Sequence, residues 1–143
     1  MIRAWLLVLM LLVQVPEPSS AQDTHRPDLF VRMGAYIASD DLARSEEFYS
    51  KLFGRAPVVR LEAFVAFDVG GGWFAVVSRA HYAADAVPGS GAVPYVEVLD
   101  LEEMRDRAVR ISGADVSDII VEPGISLLKV IDPDGQLIEF YAL

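Results

Sequence analysis

The chain has 143 residues, no cysteine, and 21 acidic against 12 basic side chains, for a formal net charge of −9. So acidic a surface tells against nucleic acid, whose phosphates need a basic partner. Without cysteine there is no disulfide framework and no lipoprotein anchor, so stability has to come from a packed core.

Residues Met1–Ala21 read as a secretory signal peptide. Arg3 supplies the positive start, Ala4–Val13 the apolar stretch, and Pro16-Glu17-Pro18 the break. Ser19 and Ala21 put small residues at the −3 and −1 positions before Gln22. The apolar stretch is too short to span a bilayer comfortably, and a retained anchor is the rival reading. Cleavage would leave residues 22–143 as one domain in the periplasm or outside the cell, with no membrane attachment. Arg3 and Glu17 leave together, so the net charge stays at −9.

Gln22–Leu29 is a polar lead, and Phe30–Ala38 is the first predicted strand. Asp41–Gly54 follows as an amphipathic helix, with Leu42, Phe48, Tyr49, Leu52 and Phe53 on one face. Ser39, Asp40 or Asp41 can cap it, and Gly54 can stop it. Strands are expected at Val58–Ala63, Phe64–Val69 and Trp73–Ser78, the last two joined through Gly70-Gly71-Gly72 as a hairpin. Ala80–Gly91, with Pro88, Gly89 and Gly91, reads as a linker. Strand Val93–Val98 and a second helix, Asp100–Gly113, come next. Strands Asp118–Glu122, Ser126–Ile131 and Gln136–Leu143 close the chain, with Asp132-Pro133-Asp134-Gly135 as a turn before the last.

The two helices echo each other. Asp41 and Asp100, Leu42 and Leu101, and Gly54 and Gly113 are each 59 positions apart. Leu101, Met104, Ala108 and Ile111 give the second helix its own apolar face. A fixed offset marks an internal duplication, the other reading being two unrelated strand–helix units. The predicted order is βαβββ twice, in modules of about 30–79 and 92–143.

Ser39–Gly54, with its Asp-Leu, Phe-Tyr and Leu-Phe-Gly, and Asp132–Phe140 resemble the opening and closing segments of the vicinal oxygen chelate superfamily. That superfamily holds glyoxalase I, extradiol dioxygenases and the bleomycin- and fosfomycin-resistance proteins. The resemblance implies an α+β fold of two βαβββ modules forming a curved mixed sheet around a cavity. It also implies four metal-ligand positions, which here carry Gly34, Ala75, Val93 and Glu139. Only Glu139 has a donor, and a divalent ion needs several. Neither His25 nor His81 lies on a predicted strand. No metal cofactor is therefore expected.

With Glu139 facing the cavity, strand alternation adds Tyr36, Ala38, Trp73, Val77, Tyr95, Glu97, Leu137 and Tyr141 to its walls, with Lys129 beside them. Tyr36, Trp73, Tyr95 and Tyr141 would be aromatic walls, and Glu97 and Glu139 carboxylates favouring a planar or cationic organic ligand. The same aromatics could instead simply fill a core. Three functions stay open. One is metal-free binding of a small molecule, as in the bleomycin-resistance branch. The second is an enzyme of lyase or dioxygenase class, with Glu139 as base or as part of an atypical metal site. The third is an interaction module without ligand. The resemblance also implies a homodimer with the cavity near the interface.

Protein recovered from the periplasm is expected to start at Gln22, and intact-mass measurement reads this directly. Met1 retained in the membrane fraction would refute the cleavage.

Overall fold

The computed structural model describes residues 31–143. The predicted signal peptide, the polar lead and Phe30 lie outside the described residues. The first module runs β1 (Gly34–Ser39), α1 (Leu42–Phe53), β2 (Val59–Leu61), β3 (Phe64–Val69) and β4 (Gly72–Ser78). A short helix, α2 (Arg79–Tyr82), opens the linker. The second module runs β5 (Tyr95–Glu97), α3 (Leu101–Ala108), β6 (Asp115–Val116), β7 (Ile120–Glu122), β8 (Ile125–Ile131) and β9 (Leu137–Ala142).

Each module builds one sheet, in the orders β1-β4-β3-β2 and β5-β9-β8-β6, with β7 also on β8. In both, the first strand runs parallel to the last and the other pairs are antiparallel. The duplication extends to the helix caps. Asp41 accepts from the Arg44 amide at 3.0 Å, and Asp100, 59 positions on, from the Glu103 amide at 2.9 Å. Gly54 closes α1 in the left-handed conformation that only glycine adopts freely.

Several boundaries differ from the sequence reading: β1 starts at Gly34 rather than Phe30, β2 is cut to Val59–Leu61, and four further differences have a local reason. Helix α3 ends at Ala108, after which tighter turns carry the chain to Gly113, with Ile111 bonded back to the Ala108 carbonyl at 3.0 Å. Strand β5 is cut to Tyr95–Glu97, because Pro94 has no N–H to offer the ladder. The expected strand Asp118–Glu122 is shortened to β7, and an unexpected short strand, β6, precedes it on the same edge of β8. Between them the Ser117 hydroxyl accepts from the Lys129 amide at 3.0 Å and interrupts the ladder. Residues 79–82 of the linker coil into α2.

The apolar faces of both sheets and both helices form one contiguous core. Tyr49 sits at its centre, fully buried, with its ring 4.7 Å from Phe74 and 5.6 Å from Phe53. Its hydroxyl donates to Asp132 at 2.6 Å, across 83 residues of sequence. Asp132 also accepts from the Asp134 and Gln136 amides at 2.9 and 2.8 Å. Asp134 in turn accepts from Ser39 at 2.7 Å, from Ser45 at 3.0 Å and from Arg44. The turn before β9 is thus bolted to the start of α1, and this bolt joins the modules.

Burial holds the Tyr49 phenol far above its usual range, and the neighbouring Asp132 and Asp134 carboxylates push the same way. Above about pH 10 the unfolded chain releases this proton and the folded chain keeps it, so stability falls as pH rises. Tyr49→Phe is expected to cost about 1–2 kcal/mol at neutral pH, because it removes one donor from a buried carboxylate. The variant should also lose less stability per pH unit above about pH 10, by about 1.4 kcal/mol. Denaturant unfolding across that range measures both; parallel alkaline slopes would refute the assignment.

Candidate functional site

Alternation along each strand sends one set of side chains to the helices and the other to the opposite, open face. On β1, Ile37 and Ser39 are buried on the helix side, so Gly34, Tyr36 and Ala38 face away. Register sets Gly34 beside Trp73, Tyr36 beside Ala75, and Ala38 beside Val77. In the second sheet Tyr95 lies beside Glu139 and Glu139 beside Lys129, while Glu97 lies beside Tyr141. All seven candidate residues therefore share the open faces. Tyr36 and Tyr95 are 62% and 71% exposed, so they are not core filling.

A groove of about 690 Å³ runs between β1 and β5, the first strands of the two modules, and the linker closes one side. Tyr36, Trp73 and Tyr95 line it, with Met33, Val87 and Pro94. Glu97, Lys129, Glu139 and Tyr141 do not line it. Glu139 lies one strand further into the second sheet and Lys129 one strand beyond that. Their charged atoms stand 3.6 Å apart, which is ion-pair but not hydrogen-bond distance. With Lys129 44% and Glu139 27% exposed, water screens the pair and its stabilisation is small. The Tyr141 ring lies 5.7 Å from that of Tyr95. Burial raises the Tyr141 phenol above its usual range, and the Glu97 carboxylate adds to the effect. Glu97 itself borders a smaller cleft of about 380 Å³ between the modules, with Arg55, Asp100, Glu103 and Arg107.

Two arginines at the groove were absent from the sequence reading. Arg32 stacks its guanidinium 4.7 Å from the Trp73 ring centre and donates to the Gly71 carbonyl at 3.1 Å. Its parity with Gly34 and Tyr36, read two residues further back, was the available signal. Arg79 is buried on the groove wall and donates to Asp40, Ala38 and Ala86. Only its place at the end of an apolar strand marked it.

The four metal-ligand positions of the resembled superfamily offer one donor. Gly34 and Ala75 lie on the first sheet's open face, Val93 precedes β5, and Glu139 pairs with Lys129. At Gly34 even a methyl group would come 2.9 Å from the Trp73 carbonyl oxygen, so a larger ligating side chain would have to displace β4. Among the described residues no three His, Cys, Asp or Glu side chains converge. His81 lies in α2 on the surface, and His25 lies outside the described residues. These side chains do not fit a divalent ion.

The sequence matches no family model and no curated protein sequence. Its structure is similar to several solved ones. A glyoxalase/bleomycin resistance protein from Catenulispora acidiphila superposes with a TM-score of 0.64 at 22% identity, over 80% of this chain and 99% of that one. A glyoxalase-related enzyme from Fulvimarina pelagi gives 0.65 at 24% identity, over 78% and 86%. The bleomycin resistance determinant encoded on transposon Tn5 gives 0.63 at 16% identity, over 78% and 96%. The chain thus has the glyoxalase/bleomycin resistance/dioxygenase fold, the fold that its resemblance to the vicinal oxygen chelate superfamily implies.

Proposed function

We propose that this chain is an exported protein that binds a small planar organic molecule in the groove between β1 and β5, without a metal ion. The observation that carries this reading is the placement of Tyr36, Trp73 and Tyr95 around one groove of about 690 Å³. A concave, mostly apolar wall with few polar groups suits a small organic ligand. Flat rings from both sheets, Tyr36 and Trp73 from the first and Tyr95 from the second, favour a flat ligand. Planarity rather than positive charge is the selecting feature. The carboxylates that would draw a cation, Glu97 and Glu139, are off the groove's lining, and Glu139 faces Lys129. The charged group on the lining is Arg79, and Arg32 already occupies a face of Trp73.

The bleomycin resistance determinant on Tn5 shares the fold. The absence of donors at Gly34, Ala75 and Val93 supports a reading without metal. A single carboxylate leaves a divalent ion mostly hydrated, with affinity on the order of millimolar.

Thermal unfolding with a panel of planar aromatic compounds tests the proposal. At least one is expected to raise the melting temperature, with affinity about tenfold weaker in Trp73→Ala, the loss of roughly one stacking contact. Elemental analysis is expected to show no stoichiometric zinc, nickel, manganese or iron. One equivalent of metal that is lost in Glu139→Ala would overturn the metal-free reading and put the enzyme reading first.

A further inference from the structure

We infer that Arg79 is a positioning residue that clasps the linker against the first module and so sets the width of the groove. This inference rests on the binding reading above for its functional meaning, but its geometry stands independently.

Arg79 follows β4 directly and is 9% exposed. Its guanidinium reaches three separate segments. Nε donates to Asp40 at 2.8 Å in the β1–α1 connection. One terminal nitrogen donates to the Ala38 carbonyl of β1 at 2.9 Å. The other donates to the Ala86 carbonyl of the linker at 3.0 Å. Ala83, Ala86 and Val87 form part of the groove wall, opposite the β1 residues that the same arginine holds.

The linker has little else to hold it. Its own hydrogen bonds are local: Ala83 to Arg79, Ala86 to Ala83, and Ser90 to Val87. Among the described residues, the bond from Arg79 to Ala86 is the one hydrogen bond that fastens residues 84–93 to the rest of the fold. Gly89 packs against the turn before β9, where an added methyl would come 2.5 Å from the Gly135 carbonyl oxygen. That contact fixes the far end by shape alone. A planar guanidinium offers donors at fixed angles on three nitrogens, which a lysine ammonium on its single point of charge cannot match. Asp40 is 65% exposed, so its charge is screened and the two carbonyl bonds carry the clasp.

Hydrogen exchange on the full chain, comparing wild type with Arg79→Met and Arg79→Lys, decides it. In Arg79→Met, the hydrogen-bonded amides of Ala83, Ala86 and Ser90, within residues 83–94, are expected to exchange at least about tenfold faster, while α1 and β8 stay within about twofold of wild type. Arg79→Lys should recover only part of the protection. Naphthol, as the planar probe, should bind Arg79→Met at least about tenfold more weakly than wild type. Unchanged exchange in residues 83–94 overturns the clasp. So does an equal rise everywhere, which would make Arg79 a support of the whole fold. Unchanged naphthol affinity with a loosened linker overturns its role in the groove. Naphthol binding to neither protein overturns the role of Arg79 in holding a ligand of that size, and the exchange pattern alone then upholds or overturns the clasp.

Discussion

Two buried carboxylates hold this molecule together. Asp132 is 3% exposed and the Asp134 side chain 5%, and removing either from water is costly unless its oxygens find donors. The first module supplies them. Tyr49 serves Asp132; Ser39, Ser45 and Arg44 serve Asp134. Ser45 and Tyr49 are one turn apart on α1, so a single helix face presents both to the turn. A hydroxyl at 45 in the middle of an otherwise apolar buried face makes sense only because the partner module brings a carboxylate to it. The modules therefore dock in one register, because a shift would strip Asp134 of its side-chain donors and leave Asp132 only the two amides of its own turn.

That register decides what the open faces can do. The bolt ties the end of β1 and the start of α1 to the turn that feeds β9, and β9 carries β5 as its parallel neighbour. Fixing β1 against the β9 turn thus fixes β1 against β5, and the groove lies between those two strands. The linker packs onto the same turn through Gly89, so the third wall takes its position from the joint that sets the other two. The site is a by-product of the docking. Its aromatic residues sit on strands whose opposite faces are spent on the core.

Much of this was legible because much of it is local. The Asp41 and Asp100 caps, the left-handed Gly54 and the Gly70-Gly71 turn, with φ of 60° and 84°, each follow from a few adjacent residues. The 59-residue echo carried the duplication, and with it the fold. Strand parity placed Tyr36, Trp73, Tyr95, Glu97, Lys129, Glu139 and Tyr141 on open faces, since a period of two leaves no choice once one residue is fixed. Which of them border one groove was not legible. That depends on how two sheets sit against each other, and the contacts that decide it span 83 to 95 residues. Nothing local marks Ser45, whose carboxylate partner lies 89 residues on. The stretch Ala80–Gly91 looked like a spacer because glycine and proline mark turns, yet alanines in such a stretch can still form a wall once an arginine holds them.

Lys129 and Glu139 face each other across neighbouring strands of the second sheet. Glu139 carries its carboxylate on an open sheet face, beside Tyr95. A divalent ion would compensate it, but three of the four positions that would share such an ion carry hydrogen, methyl or isopropyl side chains. Compensation comes instead from the adjacent strand, where register sets a lysine directly opposite. That cross-strand pair, at 3.6 Å and open to water, is screened and stabilises little. The positive charge arrives with the fold, already paired with Glu139. In the neighbouring groove Arg79 holds the linker, while Arg32 stacks on the Trp73 ring.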